Sequence, residues 1–239
     1  MKIDIVKKTS GKVLSLVKIL GRIADEEGAR VYIVGGPVRD MLLGVSNYDL
    51  DFVVEADAIK FSEVLNKTLK GRLTVHKAFG TATIAYKDFR IDVVTARSES
   101  YEHPAAYPDV EPATIKEDLF RRDFTINAMA IIINKKGFGE LIDFYGGLKD
   151  LKKGIVRVMH DKSFMDDPTR IFRAVRFSSR FNFKIESHTK KLMKEAVLAG
   201  FLGEVNRGRI KKEMELFLKE DDPLKYLRVF SRLIARFNH

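Results

Sequence analysis

Cysteine is absent from all 239 residues. That excludes a disulfide framework, a thiolate nucleophile and any sulfur ligand for a metal. Also missing is an apolar run of the ~18 residues that a membrane-spanning helix needs. The amino-terminal Met1–Val13 stretch lacks the apolar centre of a signal peptide, so a cytoplasmic protein with no membrane partner is expected. No internal repeat or low-complexity tract occurs. His103 has no second histidine at ligand spacing, so a histidine-based metal site is not expected there. Negative charge is scarce in one region only. Residues 151–239 hold 21 Lys+Arg against 11 Asp+Glu, whereas residues 1–150 hold 22 of each. The overall +10 therefore resides in the carboxy-terminal part. Such asymmetry points to a neutral catalytic module joined to one that meets a polyanion. The plainer alternative is a helical region whose lysines only aid solubility.

What the chain does contain is organised around Val31–Val54. A four-residue apolar run, Val31-Tyr32-Ile33-Val34, reads as a strand and leads straight into Gly35-Gly36. A short helical spacing follows (Val38, Met41, Leu42), then a polar turn at Ser46-Asn47-Tyr48, then Asp49-Leu50-Asp51-Phe52-Val53-Val54. Side chains alternate across a strand, so Asp49 and Asp51 share a face. Two such charges repel and each is costly to desolvate, which makes sense if a divalent cation lies between them. Hard oxygen donors of this kind suit Mg²⁺, which binds through one or two carboxylates plus substrate phosphates. The glycine pair bares backbone N–H groups where a polyphosphate can dock, and Arg39, one turn on, is placed to reach a phosphate oxygen.

Helical spacing predicts helices over Gly11–Glu27 and Ala58–Leu69. Short β-rich runs follow at Leu73–His76, Thr81–Tyr86 and Arg90–Thr95, the last carrying Asp92 as a third candidate carboxylate. Ser98–Glu117 contains Pro104, Pro108 and Pro112 and reads as a long irregular loop, of the kind often used as a lid. Residues 118–132 read as helix-like before turning into a strand. They carry Arg121-Arg122-Asp123, in which Arg122 suits a phosphate and Asp123 suits holding an arginine or the backbone. A surface salt bridge is an equal reading there. Leu141–Gly147 ends a strand on a second Gly-Gly turn.

Beyond a short strand at Ile155–Val158, Asp167-Pro168 reads as a helix start, an N-cap acid followed by proline at the first helical position. On 100° steps Arg173, Arg176 and Arg180 fall within ~60° of one another, with Arg170 on their flank. Ile171, Phe172 and Val175 lie opposite, so the expectation is an apolar side packed inward and arginines pointing outward. His160-Asp161 invites a comparison with HD phosphohydrolases, but the further histidines and aspartate of that chemistry are absent nearby.

Four segments, GGPVRD, DLD, RRDFTINAMA and DFYGG, stand in order and at spacings that resemble the class II tRNA nucleotidyltransferase and bacterial poly(A) polymerase family. The resemblance covers most of residues 30–220. It implies an α+β chain: a polymerase-β-type nucleotidyltransferase head over 1–152 with a mixed sheet and flanking helices, then a helical neck over 153–220. Residues 221–239 would begin a helical body that continues in family members into parts that grip tRNA. It further implies transfer of a nucleotide from CTP or ATP to the tRNA 3′ end. On this reading Asp49 and Asp51 hold Mg²⁺, Asp92 acts on the attacking hydroxyl, and Gly35, Gly36, Arg39 and Arg122 hold phosphate or sugar. The family's E-D-x-x-R motif reads Asp166-Asp167-Pro168-Thr169-Arg170, and the likeness implies that Asp167 and Arg170 read the base, with Arg173 and Arg176 as further nucleotide contacts and Arg180 on RNA. The chemistry is sensible. Cytosine and adenine both offer an amino donor beside a ring-nitrogen acceptor, and uracil and guanine reverse that order. Each buried mismatch costs about 1–3 kcal/mol. The chain departs from the family at Gly208-Arg209, where Glu-Arg is usual. The rival enzyme reading is a poly(A) polymerase, and the rival from another class is a non-catalytic RNA- or nucleotide-binding module.

Overall fold

The computed structural model describes residues 1–5, 9–45 and 49–237. The turn expected at Ser46-Asn47-Tyr48 lies outside the described residues. In chain order the main elements are α1 (Gly11–Glu26), β1 (Val31–Val34), α2 (Gly36–Leu43), β2 (Asp49–Val54), α3 (Ala58–Leu69), β3 (Arg72–His76), β4 (Thr81–Tyr86), β5 (Phe89–Thr95), β6 (Arg97–Ser100), β7 (Asp109–Pro112) and α4 (Ile115–Phe120). They continue as β8 (Ala130–Ile132), β9 (Leu141–Ile142), α5 (Gly147–Lys153), β10 (Ile155–Val156), α6 (Ser163–Asp166), α7 (Arg170–Phe181), β11 (Lys184–Ile185), α8 (Ser187–Leu198), α9 (Phe201–Glu204), α10 (Arg207–Leu218) and α11 (Pro223–Phe237).

Two compact units result. The first comprises Met1–Ser98, Val110–Arg122 and Asn127–Gly147, and the second Glu99–Asp109, Asp123–Ile126 and Leu148–His239. Residues 99–109 and 123–126, expected within a contiguous head, thus group with the later part of the chain. Chain order does not oblige a packed unit to be continuous.

The first unit is built on a seven-stranded sheet in the order β3-β4-β5-β2-β1-β8-β9. β2 and β5 run parallel and the other pairs antiparallel, so the sheet is mixed and the fold is α+β. All four residues of β1 are buried, which is why the run carries no polar alternation. Ser10 caps α1 by accepting from the Val13 N–H at 3.3 Å. Asp57 caps α3 by accepting from Ile59 and Lys60 N–H at 2.9 and 3.1 Å. The apolar stripe of α1 (Val13, Leu16, Val17, Leu20, Ile23) is buried, each side chain contributing roughly 1.5–3 kcal/mol.

Ser98–Glu117 is more ordered than its prolines suggest. β6 and β7 pair as a two-stranded ribbon, with Pro112 at the very end of β7. Proline is tolerated there because a strand end needs no further ladder donor. Thr114 and Glu117 then form a reciprocal capping box, so α4 begins at Ile115, three residues before the expected helix-like stretch.

In the second unit, α7 is the central helix. Phe172 stacks on Phe230 of α11 with centroids 4.7 Å apart, and Phe217 of α10 meets both Phe172 and Tyr226. The apolar positions of residues 221–237 therefore pack into the same core as 153–220. Phe124 meets Phe177 edge-on at 5.9 Å. The regular part of α7 starts at Arg170, later than the expected Asp167-Pro168 start. One turn of tighter i→i+3 bonding precedes it, with Arg170 N–H bonded to the Asp167 carbonyl at 3.1 Å and Ile171 N–H to that of Pro168 at 3.1 Å. Asp167 still acts as a cap of that turn, its carboxylate accepting from Thr169 N–H at 2.9 Å.

Helix α1 approaches the sheet so closely that a Cβ on Gly21 would lie 2.2 Å from the Ile133 carbonyl oxygen. Helix propensity favours alanine over glycine by about 1 kcal/mol, but a backbone carbonyl in a strand-end loop cannot yield as a side chain would. Gly21→Ala is therefore expected to destabilise the protein by ~1–3 kcal/mol in urea or thermal unfolding, against the direction of propensity.

Candidate active site

The register of β2 and β5 sets Asp51 directly beside Asp92, and Asp49 beside Arg90. Directly paired residues on parallel strands point to the same face, so Asp92 shares the face on which the spacing predicts Asp49 and Asp51. Asp49 is exposed, and Asp51 and Asp92 are half-buried. Burial raises the Asp51 carboxyl above the usual range. Arg122 pulls it back, and Asp92 and Asp49 push it further up. Asp92 is held from two sides, with Thr83 Oγ1 donating to Oδ1 and Arg90 Nε donating to Oδ2 at 2.9 Å. Arg90 stands two residues before Asp92 on the same strand face, a pairing legible from period 2. Thr83 lies opposite Asp92 on β4, a pairing that only the register reveals.

Among the described residues no group of three or more acidic or histidine side chains is drawn together as a preformed metal cage. The donor set still fits a hard divalent cation that takes the rest of its shell from a ligand: the carboxylate oxygens of Asp51 and Asp92 on adjoining strands, with Asp49 on the same face.

Gly35, with φ of 69°, turns the chain from β1 into α2 in a conformation suited to glycine. The guanidinium of Arg122 lies against this turn, its Nη1 2.7 Å from where a Gly35 Cβ would be. Arg122 Nη2 binds Asp118 at 2.8 Å, and Arg121 binds the same carboxylate through Nε and Nη2 at 3.0 and 2.7 Å. Asp118 is fully buried, yet its two arginines outweigh desolvation and hold its pKa below the usual range. The Nε of Arg122 is buried without a protein partner. Arg39 differs from expectation. It is 5% exposed, with Nε and Nη2 on Asp40 at 2.9 and 2.7 Å and Nη1 on Asn127 at 2.6 Å. Its guanidinium braces the glycine turn from within and does not face an open phosphate site.

The second unit holds the remaining candidates. Asp167 Oδ1 accepts from Thr169 and from Arg209 Nη2 at 2.7 Å. Arg209 also donates to the Ala105 carbonyl at 3.0 Å and lies over the Tyr107 ring at 5.7 Å. The Glu-Arg position of the family was the one signal for it. Arg170 is buried and donates to Ser163 Oγ at 3.1 Å. Arg173 takes Asp123 through Nε and Nη2 at 2.7 and 2.6 Å, and Asp123 also accepts from Phe124 N–H at 2.8 Å. Both roles foreseen for Asp123 are thus filled. Glu213 of α10 lies between Arg173 (3.8 Å) and Arg176 (3.9 Å). Burial raises Glu213 and, with Arg173, lowers Arg176.

The outward arginine face is therefore corrected. Arg170 and Arg176 are buried, and carboxylates from other segments meet Arg173, Arg176 and, through Glu220 at 3.8 Å, Arg180. A lone helix shows a charge stripe, but the helices packed on it supply the counter-ions. Exposed positive charge in this unit is spread over many side chains, among them Lys190 and Lys191 on α8, Arg207, Lys211 and Lys212 on α10, and Arg228 and Arg232 on α11. His160 is pushed down to about 4, by burial first and then by Arg170, and Asp161 pairs with His188 at 2.8 Å. Neither arrangement serves HD-type chemistry.

A carboxyl whose folded-state pKa is raised favours folding below its unfolded value, and that favour is lost as pH rises through the folded value. Asp51→Asn is accordingly expected to raise the Tm of the metal-free protein at pH 7. The gain should shrink as pH falls below the Asp51 pKa, in melts recorded from pH 4 to 8.

Residues 31–157 match the Poly A polymerase head domain. Relatives include the A-adding tRNA nucleotidyltransferases of Geobacter sulfurreducens, 45% identical over 95% of this chain and 26% of the relative, and of Aquifex aeolicus, 49% identical over 85% of this chain and 25% of the relative. Among solved structures, the Thermotoga maritima CCA-adding enzyme complexed with tRNA superposes with a TM-score of 0.87 at 46% identity, over 98% of this chain and 54% of that one. The chain spans only about a quarter of the length of those two curated relatives. Because the family match takes in more than half of its residues, the chain belongs to the Poly A polymerase head domain family.

Proposed function

We propose that this chain carries the catalytic part of a tRNA nucleotidyltransferase, which adds AMP or CMP from ATP or CTP to the tRNA 3′ end without a template. The observation that carries the reading is the Asp51–Asp92 pair on adjoining parallel strands, with Asp49 on the same face. The primer 3′-oxygen forms a bond to the α-phosphorus of the nucleotide, and the bond from that phosphorus to the bridging oxygen of pyrophosphate breaks. The hydroxyl proton passes towards Asp92, which keeps acceptor capacity beyond its bonds to Thr83 and Arg90. Asp49 and Asp51 would hold two Mg²⁺ ions, which when bound supply charge neutralisation and alignment of the attacking and leaving oxygens. Gly35 and Gly36 offer backbone to phosphate, and Arg122 adds a guanidinium beside them, with Arg39 bracing the turn.

Base choice falls to Asp167 and Arg170 in this reading. The bonds that Asp167 makes to Thr169 and Arg209 all fall on Oδ1, which leaves Oδ2 suited to accept from the amino group of cytosine or adenine. Arg173 and Arg176 would contact the nucleotide, steadied by Asp123 and Glu213, and Arg180 would meet RNA together with the exposed lysines. In functional terms 1–152 would be the catalytic head, 153–220 the neck and 221–239 the beginning of a helical body. Both curated relatives named above are A-adding enzymes, which supports ATP as a substrate. Among the described residues no helix is long and apolar enough to cross a membrane, in keeping with the cytoplasmic setting of tRNA maturation.

The test is incubation with Mg²⁺ and tRNAs truncated by one, two or three 3′ nucleotides, each with ATP or CTP alone. Templateless addition that stops at the native 3′ end, dependent on which nucleotide is missing next, is expected, with one pyrophosphate released per nucleotide added. Repeated AMP addition to arbitrary RNA would identify a poly(A) polymerase instead, and no pyrophosphate release would identify a binding module. Asp51→Ala should abolish extension while the protein stays folded. Asp167→Asn should relax discrimination against UTP and GTP by about 5–150-fold, the equivalent of 1–3 kcal/mol for a mismatched polar pair.

A further inference from the structure

An aromatic cluster in the first unit has no part in the chemistry above. Phe120, at the end of α4, is 45% exposed, and Phe144, in the turn after β9, is 50% exposed. Between them lies Tyr145, whose ring is 5.7 Å from Phe120 and 6.2 Å from Phe144. Lys116 stands one helical turn before Phe120 on the same face of α4, with its ammonium 5.9 Å from the Phe144 ring centre. Large apolar side chains grouped at the surface are costly unless something covers them.

The cluster is held firmly. Tyr145 Oη donates to the Lys116 carbonyl at 2.9 Å, tying the turn to the helix. The Asp143 carboxylate accepts from Gly147 N–H at 2.7 Å and closes the turn. Nearby acids are engaged elsewhere: Glu117 in the capping box with Thr114, Asp118 in its buried pairs, and Asp143 in the turn. Lys116 supplies a cation beside the rings, while Glu117 and Asp143 keep their negative charges within their hydrogen bonds.

Its place on the sheet matters most. Ile142 is opposite Ala130, and Ala130 is opposite Val34. In β1, Ile33 faces Phe52 of β2, and extending that antiparallel register by one residue sets Val34 opposite Asp51. Asp51 and Ile142 thus lie in one row across the sheet. Phe144 projects from the same sheet end as the acids, three strand spacings or roughly 14 Å along it.

We propose that Phe120, Phe144 and Tyr145, with Lys116, form a stacking platform for the unpaired bases just upstream of the RNA 3′ end. Every base has a π-face, so such a surface accepts tRNA tails regardless of sequence, and the lysine meets the backbone phosphate. The rings lie at the same end of the sheet as Asp51, across β1 and β8 from it. The proposal rests on the reading of the chain as an RNA 3′-end nucleotidyltransferase.

The test uses the full chain and an RNA hairpin with an unpaired 3′ tail carrying 2-aminopurine, alongside the same hairpin with a blunt end. Phe120→Ala and Phe144→Ala are each expected to weaken tailed-hairpin binding about 10-fold or more and to reduce the 2-aminopurine quench. Binding of the blunt hairpin and of ATP should not change, and Phe144→Trp should retain tail binding. The variants are at half-exposed positions, and unchanged melting temperatures would exclude a folding defect. Wild-type affinity and quench in both alanine variants would overturn the platform. So would an altered sedimentation coefficient with unaltered RNA affinity, which would mark a protein interface. Normal tail stacking with no nucleotide transfer by the wild type would instead overturn the transferase reading and leave the platform standing.

Discussion

Parallel pairing of β2 with β5 forces carboxylates against one another, and much of the first unit serves to keep them there. Left to themselves Asp49, Asp51 and Asp92 would turn apart into water. Thr83 and Arg90 fix Asp92, and the strand ladder fixes Asp51. Arg122 offers partial compensation from the side of the glycine turn. That arginine is itself held by Asp118, whose burial is tolerable only because two guanidiniums share it. Removing one partner of such a buried group typically costs about 3–5 kcal/mol. The arrangement therefore invests folding free energy in holding a cluster of like charges on one face of the sheet.

The second unit solves the opposite problem. Arginines crowd α7, and their mutual repulsion is relieved by carboxylates drawn from outside that helix, Asp123 and Glu213 above all. The contacts are uneven. Arg173 makes a two-pronged bond to Asp123, while the Arg176–Glu213 distance of 3.9 Å is too long for a hydrogen bond. Arg176 Nε and Glu213 Oε2 are both buried and unsatisfied by protein. Polar atoms in that condition are ready for a ligand with donors and acceptors of its own.

Much of the first unit was legible because its signals are local. Period 2 put Asp49 and Asp51 on one face, helical spacing bounded Ala58–Leu69, and the glycine pair marked the turn at Gly35. What could not be read depends on partners distant in sequence. The register of β4 on β5 brings Thr83 to Asp92, and no local pattern encodes it. Arg39 looked available because its burial, shared between adjacent Asp40 and Asn127 from 88 positions away, depends on packing that local spacing does not show. The stripe on α7 looked solvated because a helix read alone shows charge but not the carboxylates that will cover it. Ser98–Glu117 looked irregular because proline counts obscure strand ends and capping boxes, whose cost and benefit fall on single residues.

The β2–β5 ladder also acts as a ruler. Backbone hydrogen bonding sets the distance between neighbouring strands at about 4.8 Å, whatever side chains surround them. The backbone separation of Asp51 and Asp92 is thus set by peptide geometry, and Thr83 and Arg90 then orient the Asp92 carboxylate. Loops around these strands can lengthen, shorten or change sequence without altering that gauge.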